Sequence, residues 1–133
     1  MKAILILALS LITTYAHAAT PLTNRDEVAV ALSKHRPMAI MFHAKWCGWC
    51  KKEEPEFAKA EQELKGKVDF YTVDIDQVKT GPGIKGVPTI VVLETKDKVG
   101  KTTISPGGYM DAAKIIDFIN RALEDTTLAK GTM

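Results

Sequence analysis

The sequence lacks most of the features that assign a chain to a large class of partner. Its 18 basic and 16 acidic side chains nearly balance, so the charge favours neither a nucleic acid nor a charged membrane surface. Internal repeats, low-complexity tracts and linkers are absent. The apolar run from Ala3 to Ile12 is too short to span a bilayer, which requires about 20 residues. These absences leave one globular domain as the expected organisation.

The N-terminal segment has instead the pattern of a secretory signal. Lys2 supplies a positive start, the apolar run follows, and Ala16 and Ala18 offer small residues at the two positions that a signal peptidase reads. We predict that residues 1–18 are removed after Ala18, which places the protein in the bacterial periplasm or outside the cell. Residues 19–133 then form one soluble, monomeric domain with a net charge of +1.

The chain has only two cysteines, Cys47 and Cys50, separated by two residues. Three positions apart on a helix, they lie about 5–6 Å from each other, which suits a disulfide. A structural staple across so short a loop would constrain the unfolded chain very little, because loop-closure entropy grows with loop length. The pair is therefore interpreted as a working two-electron couple, and no other thiol competes for that role.

Apolar runs and turn residues predict an α/β domain. The order is helix, strand, helix, strand, loop, strand, strand, helix, with the cysteine helix as the crossover between two parallel strands and with a final hairpin. Residues 20–24 are interpreted as a leader, with a helix cap at Thr23 or Asn24, and residues 125–133 as a frayed tail. Strands are predicted over Met38–Phe42, Val68–Ile75, Pro88–Leu93 and Lys98–Ile104, and helices are predicted to end near Pro37, Leu64 and Leu123.

With the cysteines at the turn from a buried strand into a helix, nearly all of residues 19–133 resemble the thioredoxin family. Trp46-Cys47-Gly48-x-Cys50-Lys51 resembles its active-site motif, and Pro55 matches its helix-kinking proline. Gly86-Val87-Pro88-Thr89 resembles the loop whose proline is cis and faces the active site, and Gly108 matches a glycine at the substrate groove. The resemblance implies a thioredoxin-like fold, with a central mixed sheet flanked by helices.

The resemblance also implies thiol–disulfide exchange with protein thiols and disulfides as substrates. Cys47, at the positive end of a helix where thiolates are favoured, is the expected nucleophile, and Cys50 is the expected resolving thiol. No cofactor is implied beyond the redox-active disulfide between them. For Trp46, packing on the fold is as well supported as contact with a partner. Substrate contact is assigned to five residues around the pair: Trp46, Trp49, Val87, Pro88 and Gly108.

Several positions depart from the family pattern. Little chain precedes the first helix, so the first strand of the family is expected to be absent or reduced. Alignment through Trp46 places Met41 and Thr72 where thioredoxin has a buried aspartate and its lysine partner, so the usual proton acceptor is missing. His43 is the candidate proton relay, with packing beside the site as the alternative. The charged residues Lys51–Glu54 are interpreted as a solvated face.

Three functions remain open at this point. The favoured one is an exported reductant or interchange protein for envelope thiols, supplied with electrons by a membrane-embedded thiol donor, because Gly48-Trp49 adds no charge beside the nucleophile. The second is a disulfide-forming oxidase. The third and least favoured is a copper-handling module that uses Cys47, Cys50 and His43. A closed zinc site is not expected, since it requires four ligands and only three are near.

Overall fold

The structure is a computed structural model that describes residues 19–96 and 99–131. The predicted signal segment, residues 1–18, lies outside the described residues, and its removal stays a prediction. The predicted α/β class is confirmed. Strands and helices follow the chain in the order β1 (Thr20–Leu22), α1 (Arg25–Ser33), β2 (Met38–His43), α2 (Gly48–Glu63), β3 (Asp69–Asp74), β4 (Thr89–Lys96), β5 (Val99–Ile104) and α3 (Ala112–Gly131).

The five strands form one mixed sheet in the order β1-β3-β2-β4-β5. Strands β1, β3 and β2 are parallel, whereas β4 and β5 are antiparallel to their neighbours. The parallel β2–β3 pair with α2 as its crossover and the β4–β5 hairpin are both as predicted. The half-polar strand β5 lies at an edge, also as predicted, and β2 lies at the centre of the sheet.

Strand β2 carries the chain through the core to the cysteine pair. Its residues Met38 and Ile40 belong to the apolar cluster on one face of the sheet, and Ala39 and Met41 to the cluster on the other. A strand that is covered on both faces consists of a continuous run of apolar residues. Strand β2 is therefore recognisable from the sequence alone. The strand ends at His43, and a short turn leads from there into α2.

Helix α2 packs its inner stripe against the sheet and against α3. The buried side chains of this stripe recur at the three- and four-residue spacing of one helix face. Phe57 lies within it, with its ring centroid 5.0 Å from that of Phe70 on β3. Helix α3 contributes Ile115 and Ile119 to the same cluster. The stripe consists of Cys50, Glu53, Phe57 and Ala60.

The predicted leader is wrong, because residues Thr20–Leu22 form the short edge strand β1. Thr20 pairs with Tyr71 and Leu22 with Val73, and Leu22 is buried beneath α1. Three residues are too few to show a strand periodicity, so pairing and burial, rather than the local sequence, select this conformation. The first strand of the family is therefore reduced but present.

The ends of two helices, α1 and α3, differ from the predictions, whereas the start of α1 agrees with one of the two predicted caps. Asn24 caps α1 by accepting a hydrogen bond from the amide of Glu27, which settles the choice between Thr23 and Asn24. Helix α1 ends at Ser33, earlier than predicted, and the chain turns with a positive φ at His35.

Helix α3 continues to Gly131 instead of ending near Leu123, so the predicted frayed tail over 125–133 has helical backbone as far as Gly131. No glycine or proline interrupts the chain between Leu123 and Gly131, and residues 132–133 lie outside the described residues. None of the described helices is long and apolar enough to cross a membrane.

Candidate active site

The two cysteines lie at the N-terminus of α2 and are joined as a disulfide. Cys47 is the N-cap residue, and its Cα lies 5.2 Å from that of Cys50. Cys50, inside the first turn, is fully buried, whereas Cys47 retains 6% exposure. Cys47, at the cap, is therefore the less buried residue of the pair, and its role as the nucleophile stays a prediction.

Backbone groups surround the sulfur of Cys47. The amide of Cys50 donates to Cys47 Sγ at 3.1 Å, and the carbonyl oxygen of Val87 lies 3.8 Å from the same sulfur. The unpaired amides at a helix N-terminus and the helix dipole both favour negative charge at this place. When the disulfide is reduced, this environment therefore stabilises a thiolate on Cys47.

The loop before β4 and the loop before α3 meet beside the disulfide. The Val87–Pro88 peptide bond is cis. The amide of Gly108 donates to the carbonyl of Pro88 at 3.0 Å, which holds the two loops together. Gly108 has a φ of +113°, a conformation that residues with a Cβ rarely adopt. Any other residue at this position would therefore strain the backbone. The structure thus brings Val87, Pro88 and Gly108 together next to Cys47.

Three exposed aromatic side chains border the disulfide, and we call them the aromatic rim (Trp46, Trp49 and Tyr109). Trp46 is 70% exposed, and its indole N–H donates to Asp76 Oδ2 at 3.0 Å. Trp49 is 59% exposed, and its ring centroid lies 5.9 Å from that of Tyr109. Trp46 is thus oriented by a hydrogen bond while its ring stays in solvent, which disfavours the packing alternative. Tyr109 was missed because a lone tyrosine between Gly108 and Met110 carries no pattern.

His43 does not join the cysteines in a metal site. It is half-buried at the end of β2, in register with Asp74 of β3. Within residues 19–96 and 99–131, no group of three or more His, Cys, Asp or Glu side chains is placed to hold a metal ion. Met38 and Met41 belong to apolar clusters on opposite faces of the sheet, so they add no thioether pair to the cysteines.

Glu53 is the main feature that the sequence analysis missed, since its interpretation as solvated is wrong. Its side chain is fully buried in the inner stripe of α2, while Lys51, Lys52 and Glu54 are exposed as predicted. Glu53 Oε1 accepts a hydrogen bond from the amide of Met110 at 2.7 Å, and Oε2 has no partner among the described residues. Burial raises the pKa of Glu53 from its ordinary value of 4.5 to about 7, against the lowering effect of that hydrogen bond.

Glu56, one turn further along α2, makes the matching contact with the start of α3. Its Oε2 accepts a hydrogen bond from the amide of Ala112 at 2.8 Å, and its Oε1 forms a salt bridge with Lys59 Nζ at 3.1 Å. The amide of Ala112, followed by Lys59, lowers the pKa of Glu56 below its ordinary value. Glu53 and Glu56 thus both bind the segment Met110–Ala112, but burial raises the pKa of Glu53 whereas the pKa of Glu56 is lowered.

These opposite shifts predict opposite pH dependences of stability. Below about pH 4.5 the Glu53 carboxyl is protonated in both the folded and the unfolded chain. Between about pH 4.5 and pH 7 it ionises in the unfolded chain but stays largely protonated in the folded one. The free energy of unfolding therefore falls as the pH rises through this range. Relative to wild type, Glu53→Gln should therefore gain free energy of unfolding from pH 4 to pH 8, by up to about 3 kcal/mol. Urea unfolding of the oxidised proteins measures this gain.

Glu56→Gln is the matched control for that measurement. The stabilisation by the Glu56 carboxylate is present above its unfolded pKa and is lost as the pH falls through its lower folded pKa. Relative to wild type, this variant should therefore lose more stability at pH 8 than at pH 4. If the free energy of unfolding relative to wild type changed with pH in the same direction for both variants, the assigned pKa directions would be wrong.

Comparisons with known proteins identify the family. The family model described as Thioredoxin matches residues 19–121. A thioredoxin of Borreliella burgdorferi is 36% identical over 81 residues, which cover 59% of this chain and 67% of that protein. A protein disulfide-isomerase of Oryctolagus cuniculus is 30% identical over 99% of this chain and 27% of its own length. The chain thus spans about two thirds of the first relative and about a quarter of the second.

Solved structures agree on the fold. The Trx4 domain of ERdj5 matches with a TM-score of 0.68 and 24% identity, over 82% of this chain and 98% of that one. Chloroplastic thioredoxin z matches with a TM-score of 0.65 and 22% identity, over 81% of this chain and 96% of that one. Since the family model covers residues 19–121, which hold the whole sheet and the Cys47–Cys50 pair, the chain belongs to the thioredoxin family and its domain is a dithiol–disulfide oxidoreductase domain.

Proposed function

We propose that this protein is exported and serves as a reductant or interchange protein for the thiols of envelope proteins. Export is supported by residues 1–18, which combine a positive start, an apolar core and Ala16-His17-Ala18 before the proposed cleavage point. The reducing direction is supported by the surroundings of Cys47. The observation that carries it is that uncharged backbone groups, and no cationic side chain, contact this sulfur among the described residues.

The direction of electron flow depends on how strongly the protein stabilises the Cys47 thiolate. Strong stabilisation favours the reduced protein and makes the couple oxidising. Here the stabilisation comes from the helix end and the amide of Cys50. The ammonium group of Lys52 lies instead 5.0 Å from the ring centroid of Trp49 and 5.4 Å from that of Tyr109. We therefore expect a couple nearer to the potential of thioredoxin, about −270 mV, than to the DsbA value of about −120 mV.

The exchange proceeds in two displacement steps. The Cys47 thiolate attacks a substrate disulfide, a mixed disulfide forms, and the first substrate thiolate leaves. Cys50 then attacks Cys47 Sγ, the Cys47–Cys50 bond forms, and the second substrate thiolate leaves with the electron pair. The substrate is reduced by two electrons and the protein is oxidised. In an oxidising envelope the protein needs a supply of electrons, for which a membrane-embedded thiol donor is proposed.

Substrate chains dock on the surface around Cys47. The aromatic rim supplies apolar rings with polar edges, a composition that is enriched where proteins bind one another. The carbonyl of Val87, 3.8 Å from the reacting sulfur, lies where an extended partner segment can pair with the backbone. The hydrogen bond from the amide of Gly108 to the carbonyl of Pro88 stabilises the loop that contains Val87. The rim thus provides contact area, and the loop directs the partner's sulfur to Cys47.

The division of roles between the cysteines predicts different outcomes for their substitution. Cys47→Ser should abolish reduction of a model protein disulfide such as insulin, because the attacking sulfur is lost. Cys50→Ala should also abolish turnover, but its mixed disulfides should accumulate because release is blocked. Non-reducing gel electrophoresis with mass spectrometry measures the trapped species. Accumulation with Cys47→Ser and none with Cys50→Ala would reverse the assignment.

The reducing direction predicts a potential near −270 mV, measured by equilibration with dithiothreitol buffers and thiol labelling. Trp49→His should raise the potential, because an imidazolium beside the helix end stabilises the Cys47 thiolate, whereas the uncharged control Trp49→Phe should leave it nearly unchanged. A wild-type potential above about −170 mV, together with mostly oxidised protein in cells, would favour the disulfide-forming oxidase instead.

Export predicts a specific N-terminus for the protein recovered from cells. Cell fractionation should place the protein in the envelope or the medium, and mass spectrometry of the purified chain should show that it begins at Ala19. Ala18→Arg, which places a bulky charge at the cleavage point, should leave residues 1–18 attached. A wild-type chain that starts at Met1 in the cytoplasmic fraction would contradict export.

A further inference from the structure

The resolving step requires that Cys50 lose a proton inside the protein. The thiolate, not the thiol, is the nucleophile in disulfide exchange. Cys50 is fully buried in the apolar cluster between α2, α3 and the sheet. Such surroundings disfavour a charged sulfur and keep bulk water away from it. A group within the protein that accepts the proton would therefore accelerate the step.

Glu53 lies where such an acceptor is needed. It follows Cys50 by three positions on α2, and both belong to the buried inner stripe, so the two side chains are neighbours on one helix face, with Cβ atoms about 5–6 Å apart. Side chains on a helix lean towards its N-terminus, so this spacing is expected to place the Glu53 carboxyl beside the turn that holds Cys50. Two buried residues of one helix face thus bring a carboxyl group and the resolving thiol into the same part of the core.

The hydrogen bonding of Glu53 leaves one oxygen available. Oε1 accepts from the amide of Met110, which fixes the carboxyl group in place. Oε2 is buried without a partner among the described residues. A buried polar atom without a partner is uncommon in folded proteins and calls for a functional or structural reason. A proton received from Cys50 would occupy this atom.

The other titratable groups on α2 and at the ends of the elements packed against it differ from Glu53 in burial or in hydrogen bonding. No other carboxylate of the described residues has a buried oxygen without a partner. Desolvation raises the pKa of Tyr109 above its ordinary value, so the phenol stays protonated near neutral pH. On the sheet face towards α2, Met41 and Ile90 are apolar. The remaining groups are Lys52 and Glu56 on α2, Asp111 before α3, and His43 and Asp74 at the ends of β2 and β3.

We propose that Glu53 is the proton acceptor that activates Cys50 in the resolving step. The proton passes from Cys50 Sγ to Glu53 Oε2, and the new thiolate attacks Cys47 Sγ in the mixed disulfide. The Cys47–Cys50 bond forms, the bond between Cys47 and the substrate sulfur breaks, and the electron pair leaves on the substrate thiolate. That thiolate takes up a proton from solvent, and Glu53 later returns its own. In the reverse reaction Glu53 supplies the proton to Cys50.

The titration range of Glu53 agrees with this role. Because burial raises its pKa to about 7, a substantial fraction of the carboxyl groups is ionised at neutral pH and can accept a proton. Acid–base catalysis is most effective when the pKa of the catalyst lies near the operating pH. The inference rests on the exchange chemistry of the proposed function, and it depends on neither export nor the direction of electron flow.

Rapid mixing with an aromatic disulfide that releases a coloured thiol tests the proposal. The reduced protein should release the first coloured thiol as Cys47 attacks and the second as Cys50 resolves, so the two steps are seen in one trace. Glu53→Gln should slow the second release at pH 7 by about tenfold or more, within the range of acid–base catalysis, and leave the first within about twofold. Its second release should approach the wild-type rate as the pH rises above 9.

Two further variants separate proton transfer from a structural role. Glu56→Gln, whose side chain contacts the same segment but is less buried, should leave both releases within about twofold of wild type. Glutamine can still accept the hydrogen bond from Met110, whereas Glu53→Asp keeps a carboxyl group but shortens the side chain. If Glu53 accepts the proton, Asp should resolve faster than Gln, and the wild-type rate should level off above about pH 7.

A second release in Glu53→Gln that matches wild type from pH 6 to pH 8 would overturn the role of Glu53. A Gln variant that resolves faster than the Asp variant would also overturn it, since the hydrogen bond rather than the carboxyl would then matter. Loss of the first release in the wild-type protein would contradict the exchange chemistry itself, and with it the role of Glu53.

Discussion

The packing of α2 against the sheet and α3 is the contact on which the rest of the site depends. The stripe from Cys50 to Ala60 is buried against β2, β3 and α3, and this burial fixes where the helix begins. Cys47 is thereby held at the helix N-terminus, beside the loop that contains Val87 and the loop that contains Gly108. The redox pair therefore lies where three segments, distant in the sequence, meet at one end of the sheet.

Two electrostatic environments result from this placement, one for each cysteine. Cys47 receives the amide of Cys50 at the positive end of the helix, which favours a thiolate that is ready to attack. Cys50 lies one turn inside, in apolar surroundings that favour the neutral thiol. In the proposed resolving step, the buried carboxyl of Glu53 compensates for this difference by accepting the proton of Cys50. The division of work between two chemically identical thiols thus follows from their positions along one helix.

Much of the fold could be predicted because its central strands are continuous apolar runs, as in Met38–Phe42, and because the cysteines open a patterned helix. Strand β1 could not, since three residues at a sheet edge are selected by pairing with β3 rather than by local preference. The burial of Glu53 was missed because its charge suggested solvent, although its spacing from Cys50 and Phe57 already placed it in the inner stripe. Position on a helix face was here a better guide than residue type.

Every role proposed at this site depends on Cys47, and not Cys50, being the reactive thiol. Alkylation of the fully reduced protein with a limiting amount of iodoacetamide at pH 6, followed by peptide mass spectrometry, tests this claim most directly. Since only the thiolate reacts, the helix end predicts that Cys47 is labelled at least tenfold faster than Cys50. Faster labelling of Cys50, or equal labelling of the two, would contradict the roles assigned to both cysteines.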